Sequence, residues 1–157
     1  MKSRRGFTLV EMMVTLAIIG ILAALVVPVA QIGVQRAREQ ELRSALREIR
    51  QAIDAYKRAS DEGRVPRDSD SNGYPASLQV LVDGVSDAKH PKRQKVRFLR
   101  RLPRDPLHPD ASLDPAQTWG LRSYASEASE PREGRDVYDV YSRSPQIGLN
   151  GVPYRVW

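Results

Sequence analysis

Gly6-Phe7-Thr8-Leu9-Val10-Glu11 is the stretch that decides the fold, because it joins a short basic start to a long apolar run. Three basic residues lie within residues 1–5, and residues 12–30 contain no charged side chain. A helix rises about 1.5 Å per residue, so a helix over residues 7–30 is long enough to cross about 30 Å of hydrocarbon. The sequence therefore predicts a membrane-spanning helix over residues 7–30.

Glu11 is the charged residue inside this predicted span. A carboxylate within a membrane helix costs about 2.5–3.5 kcal/mol on insertion scales, so it needs a partner or a role. The alternative is that Glu11 lies at the level of the lipid headgroups.

The charges on either side of the span predict its orientation. Basic residues precede it, and a mixed cluster of charges follows it within residues 36–41. By the positive-inside rule, the N-terminus lies in the cytoplasm and the rest of the chain in the periplasm. An ordinary secretory signal is disfavoured, because its apolar stretch is shorter and ends at a cleavage site instead of continuing into a helix.

The segment from Arg5 to Glu11, with its basic leader and apolar helix, resembles the prepilin family, which comprises type IV pilins and the pseudopilins of type II secretion systems. The resemblance implies that a prepilin peptidase cuts between Gly6 and Phe7, removes residues 1–6 as a leader and N-methylates Phe7. It also implies that Glu11 pairs with the Phe7 amine of a neighbouring subunit in a helical filament. Phe7 and Glu11 are then the expected assembly residues of a single-pass inner-membrane protein.

Residues 31–60 are predicted to continue the same helix with one apolar face. Apolar or small residues recur there at three- and four-residue spacing: Leu42, Ala45, Leu46, Ile49, Ala52, Ile53 and Tyr56. Charged residues, Arg50 among them, fill the other side, which is typical of a solvated helix surface. Phe7 to about Ser60 are therefore predicted to form one long helix, apolar all round in its first half and amphipathic in its second.

Residues 61–157 have the length of one small globular domain packed on that apolar face. A short helix is expected from Pro75 to Asp83, after a loop rich in Asp, Ser and Gly. Strands are expected over residues 122–125, 137–141 and 152–157, with a hairpin turn at residues 150–151. Aromatic residues are expected to fill the core, and the candidates are Tyr138, Tyr141, Trp119 or Trp157. The predicted fold class is α+β, a type IV pilin-like fold with a long N-terminal helix on a small C-terminal antiparallel sheet.

Two segments of this domain resemble the major pseudopilins of type II secretion systems. Residues 101–106 match their Leu-Pro-x-Asp-Pro segment, and residues 136–142 match their Asp-Val/Ile-Tyr-Ser strand. The absence of cysteine agrees, since many type IV pilins carry a disulfide. The chain departs from the resemblance at Leu107 and His108 and in residues 146–151, which lack the acidic residues expected around a calcium loop. That metal site is therefore not carried over.

Asp68, Asp70 and Asn72, followed by Gly73, offer oxygen ligands at alternate positions, like the first half of an EF-hand loop. Gln79 stands where a bidentate Glu would complete the coordination shell. Calcium binding at these residues is one interpretation, and an Asx-rich turn that binds nothing is the other.

Other classes of function have little support. The sequence has no cysteine nucleophile, no Gly-x-Ser-x-Gly elbow and no phosphate-cradling glycine motif, so no enzyme activity is predicted. Basic residues are dense from Lys89 to Arg101, but no aromatic platform or nucleic-acid motif accompanies them, so a solvated connector is expected there and nucleic acid is not an expected partner. The formal net charge of +6 falls to +3 when the three basic residues of the leader are removed.

The sequence therefore predicts a structural pseudopilin that prepilin peptidase cleaves and that polymerises into the periplasmic pseudopilus driving type II protein secretion. Its expected partners are further copies of itself, the peptidase, other pseudopilins and inner-membrane assembly components. A type IV pilus pilin or minor pilin is the first alternative. The second is a periplasmic binding module tethered to the membrane by one helix, which would be a monomer indifferent to Glu11.

Overall fold

The computed structural model describes residues 7–68, 70–92 and 94–157, without the side chains of residues 25–29. The chain divides into two compact units, Met1–Ala37 and Arg38–Trp157. The elements of these described residues are two α-helices, four short strands and two 3-10 helices. This arrangement confirms the predicted α+β class.

Helix α1 runs from Leu9 to Asp61, so the prediction of one long helix from Phe7 to about Ser60 is confirmed to within two residues. In the first unit its large apolar side chains are exposed, including Leu9, Met13 and Ile19. The expected membrane span over residues 7–30 is not confirmed. Among the described residues, no helix meets the length and hydropathy that a membrane crossing requires.

In the second unit, α1 buries one face. Leu42 and Ile49 are 0% exposed and Ile53 is 1% exposed, at the spacing that the sequence predicts. Burial of an Ile or Leu side chain contributes about 1.5–3 kcal/mol, so this face is the main apolar contribution of α1 to the domain. The helix ends at Asp61, and Gly63 follows in the left-handed region with its N–H on the Ser60 carbonyl.

Helix α2 spans Leu78–Asp83, three residues shorter at its start than predicted. The predicted start at Pro75 is wrong, because Ser77 is extended and the Pro75 carbonyl accepts a hydrogen bond from the Val137 N–H instead of entering the helix. At the other end, Gly84 has a φ of 75°, and a Cβ there would lie 2.6 Å from the Val96 carbonyl oxygen. A glycine is required by both the backbone angle and the close approach.

Two separate two-stranded antiparallel sheets take the place of the single predicted sheet. Strands β1 (Val85–Ser86) and β2 (Lys95–Val96) form the first, and β3 (Trp119–Arg122) and β4 (Asp139–Ser142) form the second. In the second sheet, residue 119 lies opposite 142 and residue 122 opposite 139. The two predicted strands in this region exist, but each is displaced along the chain by one to three residues.

The predicted strand over residues 152–157 is wrong. Tyr154–Val156 form a 3-10 helix, and one isolated bridge joins Ile147 to Pro153. Proline has no N–H to donate to a ladder, so a strand cannot continue through residue 153. A turn is present at this point, since Gly151 has a φ of 78° and donates its N–H to the Gly148 carbonyl, but it does not join two strands as the predicted hairpin turn would.

Trp119 is the predicted core aromatic residue that is fully buried, and its Nε1 donates to the Pro103 carbonyl at 2.9 Å. Tyr138, Tyr141 and Trp157 are only half-buried, so their predicted burial is wrong in degree. Tyr154, which the sequence analysis did not single out, is 0% exposed.

Asp105 links the two segments that resemble major pseudopilins. Its carboxylate is 0% exposed and accepts hydrogen bonds from the Ser142 hydroxyl at 2.6 Å and from the Leu107 N–H at 2.8 Å. Its own N–H donates to the Thr118 hydroxyl at 3.1 Å. A buried carboxylate is stable only with such partners, so these contacts explain why an Asp in one segment accompanies a Ser in the other.

Replacing Ile49 by alanine tests the importance of the α1 face. Because Ile49 is 0% exposed, we expect Ile49→Ala to lower the free energy of unfolding by about 2–5 kcal/mol. Thermal or denaturant unfolding of the detergent-solubilised full chain measures the change. Gln51→Ala, at an exposed position of the same helix, is the control and should stay within about 0.5 kcal/mol of wild type. Equal effects of the two substitutions would contradict the assignment.

Candidate functional site

Thr8 and Glu11 form a compact polar arrangement at the start of α1, next to Phe7. The Glu11 carboxylate accepts hydrogen bonds from the Thr8 N–H at 2.9 Å and from the Thr8 hydroxyl at 3.0 Å. The Glu11 N–H in turn donates to the Thr8 hydroxyl oxygen at 3.2 Å. Thr8 immediately precedes the first helical residue and Glu11 is the third helical residue, so the pair is a capping box.

The capping box fixes the position of the Glu11 carboxylate. It satisfies N–H groups that have no carbonyl partner in the first turn of a helix, where negative charge is favoured by the helix dipole. The carboxylate therefore accepts a hydrogen bond from the backbone N–H of Thr8, the residue next to Phe7. Phe7 itself is 81% exposed. The structure brings Phe7 and Glu11 to the same end of α1, whereas Gly6 lies outside the described residues.

Sequence reasoning missed Thr8. The signal was present, because Thr-x-x-Glu directly before an apolar run is the pattern of a capping box. Glu11 was expected to pair with a Phe7 amine, and the structure adds Thr8 as a partner within the same helical turn.

Apolar side chains follow this site along α1 with little cover. Those at residues 9–22 that are more than half exposed include Leu9, Val10, Met13, Leu16 and Ile19. An apolar surface of this extent on a soluble protein usually marks a protein or membrane contact.

A second set of polar contacts holds the C-terminal segment to α1. Glu39 is 6% exposed, and its Oε1 accepts hydrogen bonds from the Leu149 N–H at 2.7 Å and from the Tyr154 hydroxyl at 2.8 Å. The loop over residues 146–151, where the resemblance would have placed calcium, is thus tied to the helix by a carboxylate from the helix. The loop also closes on itself, with the Gly148 N–H on the Val152 carbonyl.

Arg50 makes a further contact between α1 and the C-terminal segment. Its guanidinium donates to the Asp139 carboxylate at 2.7 Å, the Val140 carbonyl at 3.2 Å and the Trp157 carbonyl at 2.7 Å. The Asp139 carboxylate also forms an ion pair with the Arg122 guanidinium at 3.2 Å. The prediction that Arg50 belongs to an ordinary solvated surface is therefore wrong. Periodicity could not have found this contact, because its partners lie far away in the sequence.

The candidate calcium ligands Asp68, Asp70 and Asn72 line one pocket together with Asp136. The Asn72 amide nitrogen donates a hydrogen bond to the Asp136 carboxylate at 3.3 Å, so this amide group already has a partner within the protein. Across residues 7–68, 70–92 and 94–157, no group of three or more His, Cys, Asp or Glu side chains is arranged to hold a metal ion.

Asp87 anchors the start of the basic segment that begins at Lys89. Its side chain is 8% exposed and accepts hydrogen bonds from the Arg64 guanidinium at 2.8 and 2.9 Å. The Arg64 hydrogen bonds, followed by those from the backbone of Lys89 and His90, lower the pKa of this carboxyl below its ordinary value of 3.8. The basic segment is thus fixed at its first residues by an internal ion pair.

Comparison with known proteins finds one family model and a group of related proteins. Residues 1–27 match the family model described as the prokaryotic N-terminal methylation motif. The chain is 37% identical over 117 residues to the type II secretion system core protein G of Klebsiella pneumoniae, covering 72% of this chain and 76% of that protein. It is 36% identical over 124 residues to the protein of the same name from Aeromonas hydrophila, covering 74% and 79%. No solved structure matches the chain.

The Arg64–Asp87 ion pair predicts a dependence of stability on pH. Because the folded-state pKa of Asp87 is lowered, its contribution is present above the unfolded-state pKa, near 3.8, and is lost as the pH falls through the folded-state value. Unfolding measured from pH 7 down to about pH 2 should show a smaller acid-induced loss in Asp87→Asn than in wild type. Glu62→Gln, at an exposed carboxylate, is the control, and an unchanged acid limb in Asp87→Asn would contradict the assignment.

Proposed function

The chain belongs to the family of the type II secretion system core protein G, and on that premise we propose that it is a major pseudopilin that polymerises into the periplasmic pseudopilus of a type II secretion system. Its role in this proposal is structural, with no catalytic activity of its own. The observation that carries the proposal is the placement of the Glu11 carboxylate within hydrogen-bond distance of the backbone next to Phe7, at the head of an exposed apolar helix.

Processing comes first in the proposed sequence of events. Prepilin peptidase cuts between Gly6 and Phe7 on the cytoplasmic side and methylates the new Phe7 amine. The match of residues 1–27 to the N-terminal methylation motif supports this step. Glycine before the cut has a physical rationale, because the absence of Cβ lets a protease approach the backbone closely.

The apolar part of α1 then holds the subunit in the inner membrane, with the Arg38–Trp157 unit in the periplasm. On assembly, this part of the helix exchanges lipid for the helices of neighbouring subunits. The apolar side chains stay out of water in this exchange, so the free energy of assembly depends mainly on the polar groups. Other pseudopilins and inner-membrane assembly components are the further partners that the proposal requires.

Glu11 supplies the polar contribution to assembly. In the single subunit its charge is partly satisfied by the uncharged donors of Thr8. In the filament, the same carboxylate pairs with the charged Phe7 amine of a neighbour, and a charge-assisted hydrogen bond is roughly twice as strong as a neutral one. The gain is largest in a dry environment, where two unpaired charges would be costly. The pairing also sets the axial register of the subunits.

Substitution of Gly6 tests the processing step. We expect Gly6→Leu to block cleavage, because a branched side chain crowds the approach of the peptidase to the bond. Mass spectrometry of the purified chain should then show the leader still attached. Ser3→Leu, within the same leader, is the control and should be cleaved normally. Normal cleavage of Gly6→Leu would refute the assigned cut site.

Two substitutions of Glu11 separate its charge from its capping role. Glu11→Ala removes both, whereas Glu11→Gln keeps an oxygen that can accept from Thr8 and removes only the charge. We expect both variants to be cleaved between Gly6 and Phe7 and both to lose filaments. Electron microscopy, together with the amount of the chain that shearing releases from the cells, measures the loss. Filaments from Glu11→Gln at the wild-type level would show that capping, and not the charge pair, is what assembly needs.

A further inference from the structure

Helix α1 carries opposite charges on the two flanks of its buried face within the Arg38–Trp157 unit. Arg43, Arg47 and Arg50 follow one flank at spacings of four and three residues, and so lie on one side of the helix. Glu41 and Glu48 are seven residues, or two turns, apart and lie on the other flank. Over residues 41–50 the two signs are thus separated, whereas Glu39 and Asp54 extend the arginine flank at spacings of four residues.

The arginine flank forms a pocket of about 340 Å3. Its walls are Arg43, Leu46, Arg47, Arg50, Asn150 and Trp157. The pocket therefore combines three guanidinium groups with an apolar floor. Guanidinium groups bind carboxylates through paired parallel hydrogen bonds, and the apolar floor can receive the methylene groups of a glutamate side chain.

The charge of this pocket is incompletely neutralised. Arg50 is paired with Asp139, and the Arg43 guanidinium lies 4.4 Å from the centre of the Trp157 ring. Within the described part of the chain, Arg47 has no ion pair or side-chain hydrogen bond. Arg43 and Arg47 are also like charges at i and i+4, which destabilises a helix by about 0.2–0.5 kcal/mol. An anion placed between them would relieve that repulsion.

The glutamate flank is complementary to this pocket. Glu41 and Glu48 are exposed and line a groove of about 750 Å3, and neither has an ion pair among the residues that the structure describes. Arg100 and Arg101 line the same groove, but no ion pair joins them to these glutamates. Both carboxylates therefore remain available to a partner.

We infer that the pocket of Arg43, Arg47 and Arg50 receives the glutamate flank of α1, Glu41 and Glu48, from a second copy of this chain. The inference rests on the proposed function, because a helical polymer supplies that second copy. The two surfaces are different patches of one subunit, so the contact is head-to-tail. Such contacts generate open helical filaments unless the rotation closes into a ring, whereas a two-fold dimer would need one self-complementary patch.

Crosslinking tests this contact directly, because the natural chain has no cysteine. Full-length Arg47→Cys and Glu48→Cys are produced together in cells with the peptidase and assembly components, and then treated with a short bismaleimide. A crosslinked dimer is expected from the mixture and not from either variant alone. It should disappear when Glu11→Ala is added to both copies, since the filament is then lost. Arg58→Cys mixed with Glu48→Cys is the matched control and should give no dimer.

Charge reversal provides the second measurement. Arg47→Glu and Glu48→Arg should each weaken the affinity between copies roughly tenfold, and the assembled fraction should fall by about the same factor. The two changes combined in one chain should restore assembly in part, because they recreate an opposite-charge pair between copies. Arg58→Glu makes the same charge change at an exposed position outside the pocket and should assemble normally. Cleavage and the thermal midpoint should match wild type in every variant.

The outcomes separate this inference from the proposed function. If the wild-type chain is processed but forms no filament, the proposed function is refuted. If wild type and Arg47→Glu assemble equally and no mixed dimer forms, the proposed function stands and the contact between flanks is wrong. Normal assembly of Arg47→Glu with reduced binding to vesicles of anionic lipid would assign the pocket to a headgroup and would likewise overturn the inference.

Discussion

Burial of one face of α1 is the interaction on which the Arg38–Trp157 unit depends. The sheets are only two strands each and the longest strands have four residues, so they cannot form a core on their own. Leu42, Ile49 and Ile53 supply a continuous apolar surface, and Trp119 and Val140 from the larger sheet belong to the same buried cluster. The irregular segment that follows the last strand is then held by specific polar contacts to the helix, such as that of Glu39 to residue 149.

This dependence explains which parts of the fold could be predicted from the sequence. The limits and the buried face of α1 follow from local signals: apolar spacing, and a glycine just beyond the end. The start of α2 does not, because Pro75 is held by Val137, which is distant in the sequence. The end of the chain was predicted as a strand from its β-branched and aromatic content. Tyr154 instead turns inward to Glu39, a partner that no local pattern could reveal.

The candidate site shows the same division. The positions of Phe7 and Glu11 at the start of α1 were predictable from the residues around them, and the contact of Thr8 with Glu11 was predictable in principle from the Thr-x-x-Glu spacing. Arg50 was not, since periodicity places it on a charged helix surface and its partners come from the other end of the chain. Local sequence therefore identifies groups that act at the end of a helix, and it misses groups whose role is to join distant segments.

In the proposed filament, Glu11 and the charged flanks of α1 meet different requirements. In the proposed filament, the Glu11 carboxylate exchanges its Thr8 donors for the amine of a neighbour, and this pairing sets how far one subunit is displaced along the next. It cannot by itself fix rotation about the helix axis, because the surrounding apolar contacts are non-directional. A contact between Arg47 on one flank and Glu48 on the other is directional, because opposite charges favour one relative orientation of neighbouring subunits over the others. A subunit needs both kinds of constraint to build a filament with a single helical symmetry.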